Sequence, residues 1–328
     1  MAIKDNNLKL MVNLLSVSQQ VLDTYFDKLD FTKLLREFTY QGNMEVVKKL
    51  LESGTDPLDC DEKGQTNLHR ATMCQDDYKA RKLTKLMLGK CTSEEEKKEW
   101  VTKQDDMGKT VLHVASMKGN KDFCYLLFDI NEGILQIKDT DGRIDLFEEV
   151  KGGHDDLCLS LIHWKQHFNV DSIFDRSGLT LLHVAASEGR MHIADLLLER
   201  SKKPKAYVRT TDLESRQTTL HKATKGRHTN IIKVLLHWGA HPLLERDCDG
   251  RTVFHYFAPT LLSGDDRKEV AKLLLKKCRT DEKKLLLLWA RHYRPTSKRF
   301  FTQNLSFTTK GAFQRGGKQF VKDNCTSG

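Results

Sequence analysis

An all-α solenoid of stacked helix-turn-helix units, joined by short turn fingers, is the fold class this sequence predicts. Three observations predict it. First, the stretch DRSGLTLLHVAASEGR (175–190) has counterparts at DEKGQTNLHRA (61–71), DDMGKTVLHVASMKGN (105–120), ESRQTTLHKATKGRH (214–228) and DCDGRTVFHYF (247–257). Second, the Thr of each copy falls at 66, 110, 180, 218 and 252, and a degenerate copy, DTDGRIDLFEEVKGGH (139–154), puts Ile144 in the same phase. Third, the spacings of 44, 34, 36, 38 and 34 residues are those of one recurring supersecondary unit.

Each copy has the same physical grammar. Asp-x-x-Gly is turn chemistry, with Gly64, Gly108, Gly178 and Gly250 free to take a positive φ. The following Thr is placed as an N-cap, its hydroxyl facing an orphan amide of the coming helix. In the copy at 175, Leu182, Ala185 and Ala186 give that helix a face of small residues that a neighbour can approach. Gly189 ends it as a left-handed C-cap. Ile193, Leu196, Leu197 and Leu198 then form the apolar face of a second helix, and Ile231, Ile232, Val234, Leu235 and Leu236 repeat it, ending at Gly239–Ala240.

The elements follow in order. Leu8, Met11, Val12, Leu15, Leu22, Phe26 and Leu29 recur at helical intervals, so residues 1–30 are expected to form a helical cap. The repeat domain spans 31–278, with units near 31–60, 61–104, 105–138, 139–174, 175–211, 212–246 and 247–278. The unit at 139 lacks both Thr and His, and looser packing is expected there. The wide first spacing holds LGKCTSEEEKKEWVTKQ (88–104), where Ser93 and Glu96 fit a capping box and Trp100 an anchor. SKKPKAYVRTT (201–211) and TLLSGDDRKE (260–269) lengthen two other connections. Residues 279–328 read as a capping helix, DEKKLLLLWARHY (281–293), followed by a basic tail.

The T-x-L-H-x-A core with a period near 33 resembles the ankyrin-repeat family, over roughly 31–278. The Pro that usually follows Thr is absent: Asn67, Val111, Leu181, Thr219 and Val253 stand there. That loss removes pre-organisation but breaks no hydrogen bond. Thr66, His69, Thr110, His113, Thr180, His183, Thr218, His221, Thr252 and His255 are the repeat markers. A catalytic base or metal ligand is expected once, with partners converging on it. One histidine per unit, five times, is structural. The resemblance implies that the imidazole bonds between its own turn and the neighbouring loop.

It also implies a concave binding surface made by fingers and first helices. By position, Lys63, Lys109, Arg176, Leu179, Arg216, Gln217 and Arg251 are the candidate partner contacts, beside Gln65 and Met107. The expected partner is another protein, and the expected role is that of a non-catalytic scaffold in signalling or regulation. The alternative is the regulatory segment of a larger channel or signalling protein.

Composition bounds the remainder. No apolar run approaches the roughly 18 residues of a membrane-spanning helix. The N-terminal stretch lacks the pattern of a secretory signal, and eight cysteines lie scattered with no C-x-x-C pair. These features favour reduced thiols and a cytoplasmic, or nuclear, location. The formal charge is +9, and residues 279–328 hold 11 Lys/Arg against 3 Asp/Glu, which assigns the basic character to the tail. Its Arg/Lys alternate with aromatics, so an anionic partner, nucleic acid or membrane, is a second expectation. Motifs for phosphate loops, zinc proteases and serine hydrolases are absent, and His237 and His241 are separated by a Gly–Ala helix stop. No catalytic residue, metal or cofactor is expected.

Overall fold

The structure, a computed structural model, describes residues 31–164, 169–257 and 264–283. The expected N-terminal cap and all of the basic tail beyond 283 lie outside the described residues. Apart from isolated antiparallel bridges at Phe174–Thr180 and Thr211–Thr218, the described residues form helices and turns. They gather into two compact units, one ending at Val184 and one beginning at Ala185, inside the helix Leu181–Glu188.

Within the first unit, helix pairs succeed one another: Phe31–Gln41 with Met44–Glu52, Asn67–Thr72 with Asp77–Leu88, Val111–Lys118 with Lys121–Ile130, and Leu146–Gly152 with Asp155–Trp164. The second unit repeats the scheme with Thr219–Gly226 beside Thr229–His237, and Val253–Phe257 followed by Gly264–Lys277. Short first helices bury nearly all their side chains, including the small Ala71, Ala115, Ala185 and Ala223. Each pair has too little interior of its own, so its apolar face is closed by the next pair.

The markers explain why each first helix starts where it does. Thr66, Thr110 and Thr218 are N-caps in which the third helical residue, a histidine, completes a capping box. The imidazole Nδ1 accepts the Thr amide at 3.2 Å for His69, His113, His183 and His221, and at 3.0 Å for His255. Histidine thus does the work that Glu does in the usual box. Its far nitrogen reaches out of the repeat: His69 Nε2 lies 3.1 Å from the Lys109 carbonyl, and His113 Nε2 3.1 Å from that of Arg143. An amide can only donate and a carbonyl only accept. The ring must therefore be neutral, with its proton on Nε2.

A second histidine joins successive turns. His154 packs its ring against Gly119 and faces the Met117 carbonyl at 3.3 Å, and His228 does the same to Gly189 and the Ser187 carbonyl at 2.8 Å. The C-cap Gly119 has φ +70, and a Cβ there would sit 2.2 Å from His154 Nδ1. The recurring KGGH and KGRH at the ends of two repeat copies carried this signal, which phase alignment on Thr left unused.

The unit at 139 is not loosely packed, contrary to expectation. Ile144, Leu146, Phe147 and Val150 are buried, and tight turns from Ile144 and Asp145 start its helix in place of the Thr cap. Its peculiarity is polar. Glu149 stands where four other units have Ala, is fully buried, and accepts the Ser116 hydroxyl at 2.7 Å. Burial, and then the neighbouring Asp145, push the Glu149 carboxyl well above the usual range. Burial and Glu149 likewise push up the Cys158 thiol.

The wide first insertion forms the helix Glu94–Thr102, capped by Ser93 and closed over the buried Trp100. The segment 201–211 folds as the short helix Pro204–Tyr207, with Tyr207 and Val208 buried. Cys60, Cys74, Cys91, Cys124, Cys158, Cys248 and Cys278 are free thiols.

Three outcomes follow from these contacts. Gly119→Ala should cost about 3 kcal/mol in urea unfolding, because it adds left-handed strain to a displaced His154. Gly54→Ala, at φ +90 with open space around it, should cost only about 1 kcal/mol. Burial lowers the pKa of His69, His113, His221 and His255 below 6.5. The unfolded chain then binds protons more readily, so their contribution to stability is complete above pH 6.5 and declines as pH falls through that value. Imidazole proton shifts followed by NMR should give midpoints below 6.5 for all four. Glu149 has the opposite sign: its raised pKa gives stability at low pH that is lost as the pH climbs through the raised value. Glu149→Gln should raise the melting temperature at neutral pH, by about 1–3 kcal/mol of unfolding free energy, with the gain shrinking in acid.

Candidate functional site

The fingers are the most exact feature of the chain, and their leading aspartates make them so. Asp61 Oδ1 accepts the amides of Lys63 and Gln65, both at 2.9 Å. Asp105, Asp139, Asp175 and Asp247 grip the second and fourth residues after themselves in the same way, at 2.7–2.9 Å. Burial pushes the Asp61 carboxyl up, but the Gln65 and Lys63 amides and the Arg70 guanidinium outweigh it and hold the pKa below 3.8. Asp212 and Asp247 are lowered too: burial opposes, while amide donors with Lys222 at one and the Tyr256 hydroxyl at the other prevail. A carboxylate accepting backbone amides inside each turn fixes its backbone.

Neighbouring fingers are also bonded to each other. The Asp106 amide donates to the Lys63 carbonyl at 3.0 Å, Thr140 to Met107 at 2.9 Å, and Arg176 to Asp141 at 2.8 Å. In the second unit Cys248 donates to Ser215 at 3.0 Å. The finger at 212 is one residue longer, and Arg216 takes the turn position that glycine fills elsewhere, at φ +52.

The candidate partner residues divide by their place in the turn. Lys63 and Arg176 in the first unit, and Arg216 and Arg251 in the second, are exposed, and Leu179 is half-buried. Arg251 also faces Asp249 at 3.0 Å on the surface. Two others are placed differently from the expectation. Lys109 Nζ lies 2.7 Å from Glu148 Oε1, with both side chains largely covered. Gln217 is buried and donates to the Tyr256 hydroxyl at 2.7 Å. Both sit immediately before Thr and turn toward the following repeat, whereas Leu179 and Arg251, in the same place, are half-buried and exposed respectively. Arg143, in the same position, grips Asp175 Oδ2 at 3.0 Å, and Gln65 reaches Asp105 Oδ2 at 3.4 Å. Arg143 and Gln65 thereby brace the next finger, while Lys109 and Gln217 grip the first helix behind it, and the tips face solvent.

The tips also expose apolar side chains. Met107 is 59% exposed and Leu213 74%, each on a finger whose backbone is pinned. Leu213 was legible as an apolar residue directly after a turn aspartate. Among the described residues no group of three or more His, Cys, Asp or Glu side chains gathers to hold a metal, and no helix is long and apolar enough to cross a membrane. His237 ends its helix, whereas His241 Nε2 lies 3.1 Å from the Lys277 carbonyl, so the two do not share a face.

Comparison with known proteins agrees with this geometry. The solved ankyrin repeat domain of human ASB11 superposes with a TM-score of 0.56, covering 75% of this chain and 97% of that domain at 21% identity, a likeness of fold. Alpha-latrotoxin-Lhe1a of Latrodectus hesperus is 28% identical over 141 residues, which is 43% of this chain but only 9% of that protein. A family description of ankyrin repeats matches three overlapping stretches, 35–141, 112–212 and 146–246. With that match running through most of the repeat core and the histidine-capped turns on which it rests, the chain belongs to the ankyrin-repeat family.

Proposed function

We propose that this chain is a non-catalytic scaffold that holds a partner protein on its finger tips and the adjoining first helices, in intracellular signalling or regulation. Ankyrin repeats are generally protein–protein interaction modules. One observation carries the reading to particular residues. Met107 and Leu213 hold large apolar side chains in water on turns that an internal carboxylate has already fixed. Pre-organised apolar groups cost little ordering entropy on binding and form the anchors of interfaces. Lys63 on the finger next to that of Met107, Arg176 two fingers along, and Arg216 and Arg251 on the finger of Leu213 and the next, supply a charged rim.

The test is affinity capture with the full chain. Met107→Asp with Arg176→Glu, and separately Leu213→Asp with Arg216→Glu, should each deplete the recovered partner set by about tenfold or more, as loss of one anchor predicts. Their thermal melting should match the parent, since these side chains are exposed. Full recovery with both pairs changed would remove the fingers as the binding surface.

A further inference from the structure

We propose that the second compact unit carries a basic edge, formed where its second helices end, that binds the phosphate backbone of single-stranded nucleic acid. The division of the chain at Val184 uncovers a charge asymmetry that whole-chain arithmetic conceals. Residues 1–184 hold 25 Lys/Arg against 31 Asp/Glu, and residues 185–328 hold 29 against 14. The tail is only part of this: residues 185–278 alone hold 18 Lys/Arg against 11 Asp/Glu. The assignment of basic character to the tail therefore needs correction.

The excess is concentrated in space. Met191–Arg200, Thr229–His237 and Gly264–Lys277 are second helices of successive repeats, and they pack in that order. Arg200, Lys202, Lys203 and Lys205 cluster at and just past the end of the first, all exposed. Lys276, Lys277 and Arg279 do so at the end of the third, also exposed. The ends adjoin through the middle helix. The Lys205 stem lies 3.5 Å from where a Gly239 Cβ would be, and His241 Nε2 lies 3.1 Å from the Lys277 carbonyl. Opposing charge is present but engaged or sparse: Glu245 pairs with Arg209, Glu282 accepts the Arg279 amide, and Glu199 and Asp281 are exposed.

Complementing the helix dipole accounts for cations in a last turn, hence for Arg200, Lys276 and Lys277. It does not account for Lys202, Lys203 and Lys205, which lie beyond the first helix. Three helices about 10 Å apart place these charges along roughly 20 Å, a span of several nucleotides. The edge suits a polyphosphate better than a protein or a membrane. Protein interfaces need apolar anchors, and membrane docking without a lipid anchor needs inserted apolar groups. The exposed large apolar residues described in this unit are Leu213, on a finger, and Leu244. Phosphodiester binding requires only cations and donors.

The experiment is fluorescence anisotropy of the full chain with a labelled single-stranded RNA of about 20 nucleotides, across a salt series. Lys202→Glu, Lys203→Glu and Lys205→Glu together should weaken binding at least tenfold and lower the log–log salt slope by about 2, at about 0.7 per phosphate contact. Lys79→Glu with Lys82→Glu, in the first unit, should leave both unchanged. Circular dichroism melts of each variant establish that it is folded. The proposal is overturned if the triple variant keeps the parent slope, if only Ala substitutions at Arg291, Arg294, Lys298 and Arg299 change it, or if phosphatidylserine vesicles or polyglutamate bind as tightly as the RNA.

Discussion

A neutral imidazole, accepting a hydrogen bond from its own helix start and donating one to the next finger, is the constraint that organises the junctions at His69 and His113. Its two nitrogens face groups that can each do only one thing, so a single tautomer satisfies both. Left unmet, the Thr amide and the Lys109 or Arg143 carbonyl would each cost about 1–3 kcal/mol in the buried junction. No apolar residue could supply both bonds. This is why His69 and His113, both fully buried, are compatible with a small repeat core, and why each joins its fold to its neighbour rather than to a substrate.

The same division of labour runs through the fingers. Carboxylates of Asp61, Asp105 and Asp175 face inward and organise the turn, and the residue before Thr reaches forward to brace the next one. With these inner contacts complete, the tips are held in place without taking part in folding. Met107, Arg176 and Leu213 are consequently free to vary in chemistry at little cost to stability, whereas the positive φ of Arg216 restricts its replacements. Function in such a scaffold resides where the stabilising network ends.

The repeat itself was legible because its signals are local. Thr as N-cap, Gly at a positive φ and paired Ala all act within a few residues of themselves, so a one-dimensional pattern carries them. Helix ends, the insertion around Trp100 and the first-helix face at Ala185 and Ala186 were readable for that reason. What sequence left hidden depends on the adjacent repeat. Lys109 and Gln217 look like solvated turn residues until Glu148 and Tyr256, 39 positions further on in each case, come alongside. His154 and His228 were passed over because their partners are backbone carbonyls 37 and 41 residues earlier. The charge of the second unit was concealed by an acidic first unit of similar size, and only a spatial boundary separates the two sums.

The degenerate repeat at 139 shows how far this architecture tolerates the loss of its markers. Ile144 and Phe147 replace Thr and His, which removes the cap and the bridging imidazole together. The junction nevertheless closes, because Phe147 and Val150 restore apolar burial and the Arg176 amide of the next finger still bonds back to Asp141. Glu149 then occupies a position that Ala71, Ala115, Ala185 and Ala223 fill with a methyl group, with Ser116 on the preceding repeat as its hydroxyl donor. A buried carboxylate held toward its protonated form is a weaker junction than an imidazole serving two backbone groups, since ionisation there has no basic partner to offset it. Each unit's contribution to cohesion is thus set by its own latch, and a stack of this kind yields first where the latch is missing and a titratable group faces the core.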